Sequence, residues 1–172
     1  MRKEETILLS LDTSSTATGY AIFINGEYKK SGEIIAKGVK EQRRNNMLLK
    51  LESFIKDLKP DIIIAELPCK PLNAYTQRML TIIYGSCLIY ALQLNAEFVE
   101  KRPKNSRKYA VLGTDEKVPE KRKEIKEWAI SFAERQIGKA GISDNEADAY
   151  IQGLGYLNWW KEEEKIGKIR NI

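Results

Sequence analysis

The sequence predicts an α/β domain in which helices flank a mixed five-stranded sheet, with three antiparallel strands followed by parallel ones. Two uncharged apolar runs, at 7–11 and 62–65, are typical of strands covered on both faces. Asn25-Gly26 lies between two further runs and indicates a tight antiparallel hairpin. A helical repeat then separates this hairpin from residue 62, as a crossover to a parallel strand requires.

The first three strands are expected at Ile7–Leu11, Tyr20–Ile24 and Tyr28–Ile35. Asp12 comes directly after the first of them. The turn that follows is rich in residues that let the backbone double back, namely Thr13, Ser14, Ser15, Thr16, Thr18 and Gly19. Asp12 is therefore predicted to lie at the mouth of a hairpin.

A crossover should bring a second acid beside Asp12. Apolar residues at helical spacing mark a helix from about 40 to 58, and the run Ile62–Glu66 follows it. Because such crossovers are right-handed, this strand should run parallel to the first and end at the same edge of the sheet. Glu66 is thus expected next to Asp12, and a short fifth strand is expected at Ala96–Glu100.

The remaining segments predict four helices. The helix at about 73–94 is apolar nearly all round and must be covered on more than one side, so we expect a homodimer through it. A short helix is expected at 108–113, and another starts near 119 and ends at 137. The last opens with the capping box Ser143–Glu146. The charged tail from about 161 to 172 should fray.

Length and composition favour a single soluble domain spanning residues 1–172. The chain is 42% apolar and 31% charged, and it shows no signal peptide or membrane span. It has no histidine and two cysteines, Cys69 and Cys87, which argues against a zinc site and fits a reducing cytoplasm. General-base chemistry must then come from carboxylates, Lys, Tyr or a metal-bound water.

Positive charge is concentrated between residues 101 and 126, where ten residues are Lys or Arg and four are acidic. A basic block in an otherwise balanced chain favours a polyanion such as DNA as the partner. A solvated helix face is the alternative interpretation. The candidate DNA-binding residues are Lys101, Arg102, Lys104, Arg107, Lys108, Lys117, Lys121, Arg122 and Lys123.

Acids from three elements are expected to meet. Asp12 and Glu66 end adjacent strands, and Asp148 lies at the inward face of the last helix with Asp144 and Asn145 on the same side. Two carboxylates about 4 Å apart repel by roughly 4 kcal/mol at an effective dielectric of 20, which a divalent cation relieves. Oxygen ligands suit Mg²⁺ or Mn²⁺, and two-metal phosphodiester hydrolysis follows. Alternatively, Asp12 alone is a structural acceptor for turn N–H groups.

The order of these motifs resembles the RuvC-type Holliday junction resolvases of the ribonuclease H-like superfamily, phage-encoded members included. The matching features are LSLDTSSTATGYA, IIIAELP, the spacing of Pro103, Lys108 and Gly113, and ADAY in the last helix; together they span roughly residues 6–158. The resemblance implies a homodimer that makes paired nicks in branched DNA, leaving 5′-phosphate and 3′-hydroxyl ends. It also implies two Mg²⁺ or Mn²⁺ ions per site and a bacterial or phage-infected host cytoplasm.

By this resemblance Asp12, Glu66 and Asp148 are catalytic metal ligands, and Lys108 lies near the scissile strand, with Lys121 a looser match to a second basic residue. Asn145 stands where the family has Asp or His, so either Asn145 or the catalytic candidate Asp144 is the fourth ligand position. Cys69 stands where the family often has an aromatic residue. This departure from the family favours cleavage of a broad range of branched DNA rather than of a strict sequence.

Three other functions remain open at this level. DTSSTATG also resembles the phosphate loop of actin-like ATPases and sugar kinases, which need two such domains and a longer chain. A ribonuclease H-like nuclease acting on structured RNA precursors and a non-catalytic branched-DNA-binding protein share the same features. Cleavage of a synthetic four-way junction separates these alternatives.

Overall fold

The computed structural model describes residues 5–68, 73–101 and 103–165. Within these residues the strands and helices, in chain order, are β1 (Ile7–Asp12), β2 (Ala17–Ile24), β3 (Glu27–Ile35), α1 (Lys40–Leu58), β4 (Ile62–Glu66), α2 (Ala74–Gln93), β5 (Glu97–Lys101), α3 (Pro103–Ala110), α4 (Arg122–Ile137) and α5 (Asp144–Lys165).

The sheet has the order β3-β2-β1-β4-β5. β1 pairs antiparallel with β2, and β2 with β3, whereas β4 runs parallel to both β1 and β5. The turn at Asn25-Gly26 has positive φ at both residues, as a type I′ hairpin requires. The predicted fold class, a mixed five-stranded sheet flanked by helices, is confirmed.

Helices cover both faces of the sheet, and the alternation along each strand decides which side chains meet which helices. Leu9, Leu11 and Ile63 are fully buried in a core shared with α1 and α2. Leu8 and Ile64, one residue away, pack in a second core with α3, α4 and α5. Asp12 follows Leu8 by four residues and Glu66 follows Ile64 by two. Both acids therefore point to the same side of the sheet as Leu8 and Ile64, toward α5.

Three helices differ in extent from the predictions, and one of them is α4, which begins at Arg122 instead of near 119. The short helix expected at 108–113 begins at Pro103 and ends at Ala110. Pro at the first helical position loses no hydrogen bond, so this start is favourable. Of the tail expected to fray from about 161 to 172, residues 161–165 are helical and Lys165 pairs with Glu162 one turn earlier, whereas 166–172 lie outside the described residues.

The nearly all-apolar helix α2 buries one face and exposes another. Ile83, Cys87 and Ala91 are buried in the core shared with the sheet and Met79 is also buried, whereas Tyr75, Leu88, Ile89 and Leu92 are exposed. Among the described residues, no helix is both long enough and apolar enough to cross a membrane.

Candidate active site

Two acids lie side by side at the carboxyl ends of the parallel pair β1–β4. The register sets Leu11 opposite Ala65, so the next residues, Asp12 and Glu66, are neighbours. Asp12 is also opposite Gly19 in β2. The adjacency that the crossover predicted is therefore present in the structure.

Helix α5 passes close over this edge because glycines leave room for it. A Cβ on Gly19 would lie 2.0 Å from the carbonyl oxygen of Asn145, and one on Gly153 would lie 2.3 Å from the ring of Phe23. Neither position has space for a side chain. The first turn of α5 is thus seated directly above the strand that pairs with Asp12.

A buried amide fixes the rotation of α5. Gln152 Nε2 donates to Ser10 Oγ and to the carbonyl oxygens of Leu11 and Ile64, each at 3.2 Å. These acceptors belong to β1 and β4, the two strands that carry the acids. Asp148 precedes Gln152 by four residues, so it lies on the same face of α5, one turn nearer the sheet edge.

The pKa values of the three carboxylates are all raised. Burial, then the charges of Asp148 and Glu66, raise the pKa of Asp12 well above its ordinary value. Burial and the charge of Asp148 raise the pKa of Glu66 to about 7. Burial also raises the pKa of Asp148. Asp12, Glu66 and Asp148 therefore share one poorly solvated space.

Two cations from other helices contact the α5 acids. Arg107 Nη2 of α3 lies 3.8 Å from Asp148 Oδ1. Lys126 Nζ of α4 lies 2.5 Å from Asp144 Oδ2, and this hydrogen bond lowers the pKa of Asp144. Asp144 thus differs from Asp12, Glu66 and Asp148, because a hydrogen-bonded cation lowers its pKa whereas their pKa values are raised.

Asn145 forms a hydrogen bond with a further acid, Glu33. Its Nδ2 donates to Glu33 Oε1 of β3 at 2.9 Å. Glu33 pairs with Gly19, which pairs with Asp12, so Glu33 lies in the same row across the sheet. The hydrogen bond fixes which end of the Asn145 amide is the oxygen, and an amide oxygen is a suitable neutral ligand for a hard cation.

Solved structures of resolvases share this arrangement of strands and helices. RuvC of Thermus thermophilus in complex with Holliday junction substrate aligns with a TM-score of 0.69 at 10% identity, covering 91% of this chain and 96% of that one. The chain has the RuvC fold. The yeast mitochondrial Holliday junction resolvase Ydc2 gives 0.62 at 14% identity, covering 92% of this chain and 80% of that one.

Fowlpox virus resolvase, in complex with its substrate Holliday junction DNA, has a TM-score of 0.59 at 15% identity, and the alignment covers 90% of this chain and 99% of that one. No protein-family model and no curated protein matches the sequence. At identities this low, the structural similarity establishes the RuvC fold alone, and the function depends on the residues that this chain presents on that fold.

The acids on this RuvC fold fit a divalent metal in chemical kind. Carboxylates and an amide are hard oxygen donors, and mutual repulsion gives them a reason to bind a cation. In their present orientations, no three acidic or cysteine side chains of the described residues form a group that could hold a metal ion. Two of the acids instead contact Arg107 and Lys126.

The predicted DNA-binding residues fall into two groups. Lys104, Arg107, Lys108 and Lys117 line a cleft of about 1020 Å³ between α3 and the 116–120 loop. Lys121, Arg122 and Lys123 are exposed at the start of α4, where Lys121 lies 3.2 Å from Glu124 and Lys123 lies 4.0 Å from Glu127. Lys101 lies away from both groups, with its Nζ 3.9 Å from the centroid of the Trp159 ring, and Arg102 and Cys69 lie outside the described residues.

The structure gives Arg107, rather than Lys108, the contact with an acid. Lys108 Nζ lies 5.7 Å from the centroid of the Tyr109 ring, and its side chain faces the cleft. Sequence reasoning placed Arg107 only among DNA-binding residues, and it gave no role to Lys126, Gln152 or Glu33. The i+4 spacing from Asp148 to Gln152 was the available signal, since both lie on one face of α5.

Proposed function

We propose that this protein is a metal-dependent endonuclease that cuts Holliday junctions and other branched DNA by paired phosphodiester hydrolysis. The observation that carries the proposal is the meeting of Asp12, Glu66 and Asp148 from two strands and a helix, with raised pKa values, on a RuvC fold. A half-buried cluster of like charges is unfavourable without a cation, so its presence favours a metal site.

Asp12, Glu66 and Asp148 would hold the metal ions, with Asp144 or Asn145 at the fourth position. Bound Mg²⁺ or Mn²⁺ supplies the activation of water and the neutralisation of the leaving oxygen, giving 5′-phosphate and 3′-hydroxyl ends. The chain's own part is to fix these carboxylates through Gln152 and the contact at Gly19. Such rigid placement holds the reacting groups in line.

The DNA backbone would follow the cleft toward the acids. Lys104, Lys108 and Lys117 line this cleft, and Arg107 lines it while also contacting Asp148. Arg107 therefore connects the phosphate-binding surface to the acids. Lys108 is proposed as the basic residue beside the scissile phosphate. The exposed cations Lys121, Arg122 and Lys123 would contact phosphates of the junction arm that leads to the cleft.

A homodimer through α2 would present two such sites for paired nicks. The support is the row Leu88, Ile89 and Leu92, exposed on a helix whose opposite face is buried. Ile89→Asp should convert the dimer to a monomer in sedimentation velocity, whereas Val39→Asp, at the exposed N-cap of α1, should leave it intact. A wild-type monomer at micromolar concentration would contradict the dimer.

The test of the proposed function is a synthetic four-way junction with each strand labelled in turn, incubated with protein and Mg²⁺. We expect symmetric nicks near the crossover, no cleavage in EDTA, and little cleavage of a linear duplex of the same sequence. Cleavage of structured RNA in preference to the junction would assign the RNA alternative, and ATP turnover would favour the kinase-like one.

One observation favours a second candidate, a branched-DNA-binding protein without catalysis. Asp148 and Asp144 already contact Arg107 and Lys126, and no described group of three acids is arranged for a metal ion. Tight binding of the junction, with no nicks at any concentration of Mg²⁺ or Mn²⁺, would select this candidate over the nuclease.

A further inference from the structure

A second cavity borders α3 next to the basic cleft, and Asn105 lines both. It has a volume of about 210 Å³, and its floor is the contact between α3 and α5, where a Cβ on Gly155 would lie 2.2 Å from the carbonyl oxygen of Ser106. Its walls are Lys101, Asn105, Tyr109 and Trp159. We call this cavity the Trp159 pocket.

The walls of the Trp159 pocket combine an aromatic face with a cation and an amide. Lys101 Nζ lies 3.9 Å from the centroid of the Trp159 ring and 5.1 Å from that of Tyr156. The ring of Tyr156 in turn supports Trp159, with centroids 5.8 Å apart. The pocket thus offers a surface for stacking, a positive charge beside it and the polar side chain of Asn105.

The size and chemistry of the pocket suit a single planar, polar ring attached to an anion. Its volume is below the range of about 300–1,000 Å³ that is typical for drug-sized ligands, so it takes one ring system rather than a whole nucleotide. A nucleobase has two flat faces for stacking and polar edges for an amide, and its phosphate can pair with an ammonium group.

The pocket is placed to receive the strand that reaches the acids. Lys101 is the register partner of Glu66 on the neighbouring strand. On α5, Trp159 follows Asp148 by eleven residues, on the same face, which corresponds to about 17 Å of helix. Duplex DNA rises about 3.4 Å per base along each strand, so this distance corresponds to a few nucleotides.

We propose that the Trp159 pocket captures one unpaired nucleobase of the branched substrate, close to the crossover. The base stacks on Trp159 in place of the Lys101 ammonium, which moves to the adjacent phosphate. Stacking of a base on an aromatic side chain generally outweighs a cation–π contact of this kind, so the exchange is favourable. The inference rests on the proposed action on branched DNA, and adds how an open junction is recognised.

The experiment compares two neighbouring tryptophans. Trp160 also packs on Tyr156, with centroids 6.0 Å apart, but does not line the pocket. Trp159→Leu keeps an apolar side chain and removes the flat ring, Trp159→Phe keeps a ring, and Trp160→Leu is the matched control. Thermal melting verifies that each variant is folded, and photo-cross-linking of the wild-type protein tests the pocket if Trp159→Leu is not.

Binding is measured in EDTA to a four-way junction and to a linear duplex, and junctions with 5-iodouracil at positions flanking the crossover are irradiated to map stacked contacts. We expect Trp159→Leu to weaken junction binding about 5- to 100-fold and to leave duplex binding unchanged. Trp159→Phe and Trp160→Leu should bind the junction within about 3-fold of wild type, since base–aromatic stacking tolerates a change of ring. Cross-links should map to Trp159 in the wild type and persist in Trp160→Leu.

Equal junction affinity of Trp159→Leu and Trp160→Leu, with cross-links elsewhere, would overturn the pocket while leaving the proposed function intact. Failure of the wild-type protein to bind branched DNA at all would overturn the proposed function and the pocket together.

Discussion

The acids at the two ends of the parallel pair β1–β4 lie in opposite environments. At the amino end, Asp61 Oδ2 accepts the N–H of Ile7 at 2.8 Å, and the Asp61 N–H donates to the Ile7 carbonyl at 2.8 Å. At the carboxyl end, burial and neighbouring carboxylates raise the pKa values of Asp12 and Glu66. An acid that completes the backbone hydrogen bonding is structural, whereas acids that disfavour one another's charge point to a bound cation.

Helix α5 repeats this contrast within one turn. The carboxylate of Glu146 is buried and accepts hydrogen bonds from Ser31 at 2.6 Å and Lys139 at 2.7 Å, so it anchors α5 to β3 and to the preceding loop. Among the described residues, the ion pair of Asp148, two residues later, is with Arg107 at 3.8 Å. The comparison teaches that hydrogen-bonding partners, rather than burial, separate structural acids from functional ones.

The largest expected effect is on cleavage, from a change at the carboxyl end. Asp12→Asn removes a charge that burial and two carboxylates disfavour, so metal-free stability should stay equal or rise while cleavage is lost. Substitution of a residue that only supports a metal ligand typically lowers metal affinity or activity about 10- to 100-fold. Loss of a direct ligand should therefore lower cleavage by more than about 100-fold. Junction nicking and urea denaturation in EDTA measure the two effects.

Asp61→Asn is the matched control for Asp12→Asn, because it lies on the same strand pair and its amide oxygen can still accept the N–H of Ile7. It should nick the junction at the wild-type rate. A clear loss of metal-free stability in Asp12→Asn, with binding also lost, would show that Asp12 belongs with the structural acids.

The pH dependence of stability should separate the two ends next. The pKa of Glu66 is about 7 in the folded protein against 4.5 ordinarily, so between these values the folded state retains a proton that the unfolded state loses. Metal-free stability should therefore fall as pH rises from about 4.5 to 7, and Asp12 acts in the same direction. Arg107 opposes both shifts.

Glu66→Gln should flatten this dependence and raise metal-free stability at pH 8 by up to about 3 kcal/mol. Denaturation in EDTA at pH 5 to 8 measures it, and Mg²⁺ at pH 8 should stabilise the wild type more than the variant. Identical pH profiles for wild type and variant would place Glu66 in a solvated environment and remove it from the cluster.

At the amino end the expected effect is smaller and concerns stability alone. Asp61→Ala leaves the N–H of Ile7 without its acceptor and should lower the free energy of unfolding by about 1–3 kcal/mol. Asp57→Ala, at an exposed position of α1, should change the free energy of unfolding by less than about 0.5 kcal/mol. If Asp61→Ala abolished nicking without destabilising the fold, the division between the two ends would be wrong.

Sequence patterns were sufficient for the fold and for the acidic cluster at this sheet edge. The hydrophobic alternation and the right-handed crossover determine that β4 lies beside β1, and hence that Glu66 lies beside Asp12. The inward face of the last helix then brings Asp148 to the same edge. Each step depends on chain-wide regularities that a single sequence carries.

Contacts that depend on helix phase and close approach could not be predicted in the same way. Starting α3 at Pro103 instead of 108 decides that Arg107 faces Asp148, since neighbouring helical residues point about 100° apart. The bond from Asn145 to Glu33 exists because Gly19 lets α5 approach so closely. No periodicity in the sequence encodes such distances between separate elements.

Arg107 gives the smallest and most specific test of the contrast. It lies between the acids and the cleft, so Arg107→Gln removes a positive charge that competes with metal at Asp148 and also removes a phosphate contact. Mg²⁺ affinity without DNA, measured by calorimetry, should rise about 3- to 10-fold, the range of a partly exposed ion pair of about 1 kcal/mol. The salt dependence of junction binding in EDTA should fall by about one ion.

Lys29→Gln, which breaks the exposed pair with Glu27 in the distant hairpin, is the control and should change neither quantity. A lower salt dependence with unchanged Mg²⁺ affinity would make Arg107 a phosphate contact only. The two changes together would mean that one guanidinium neutralises Asp148 before metal arrives and the DNA backbone afterwards. Metal binding and DNA binding would then be coupled, because metal at Asp148 frees Arg107 for the DNA backbone and DNA at Arg107 frees Asp148 for metal.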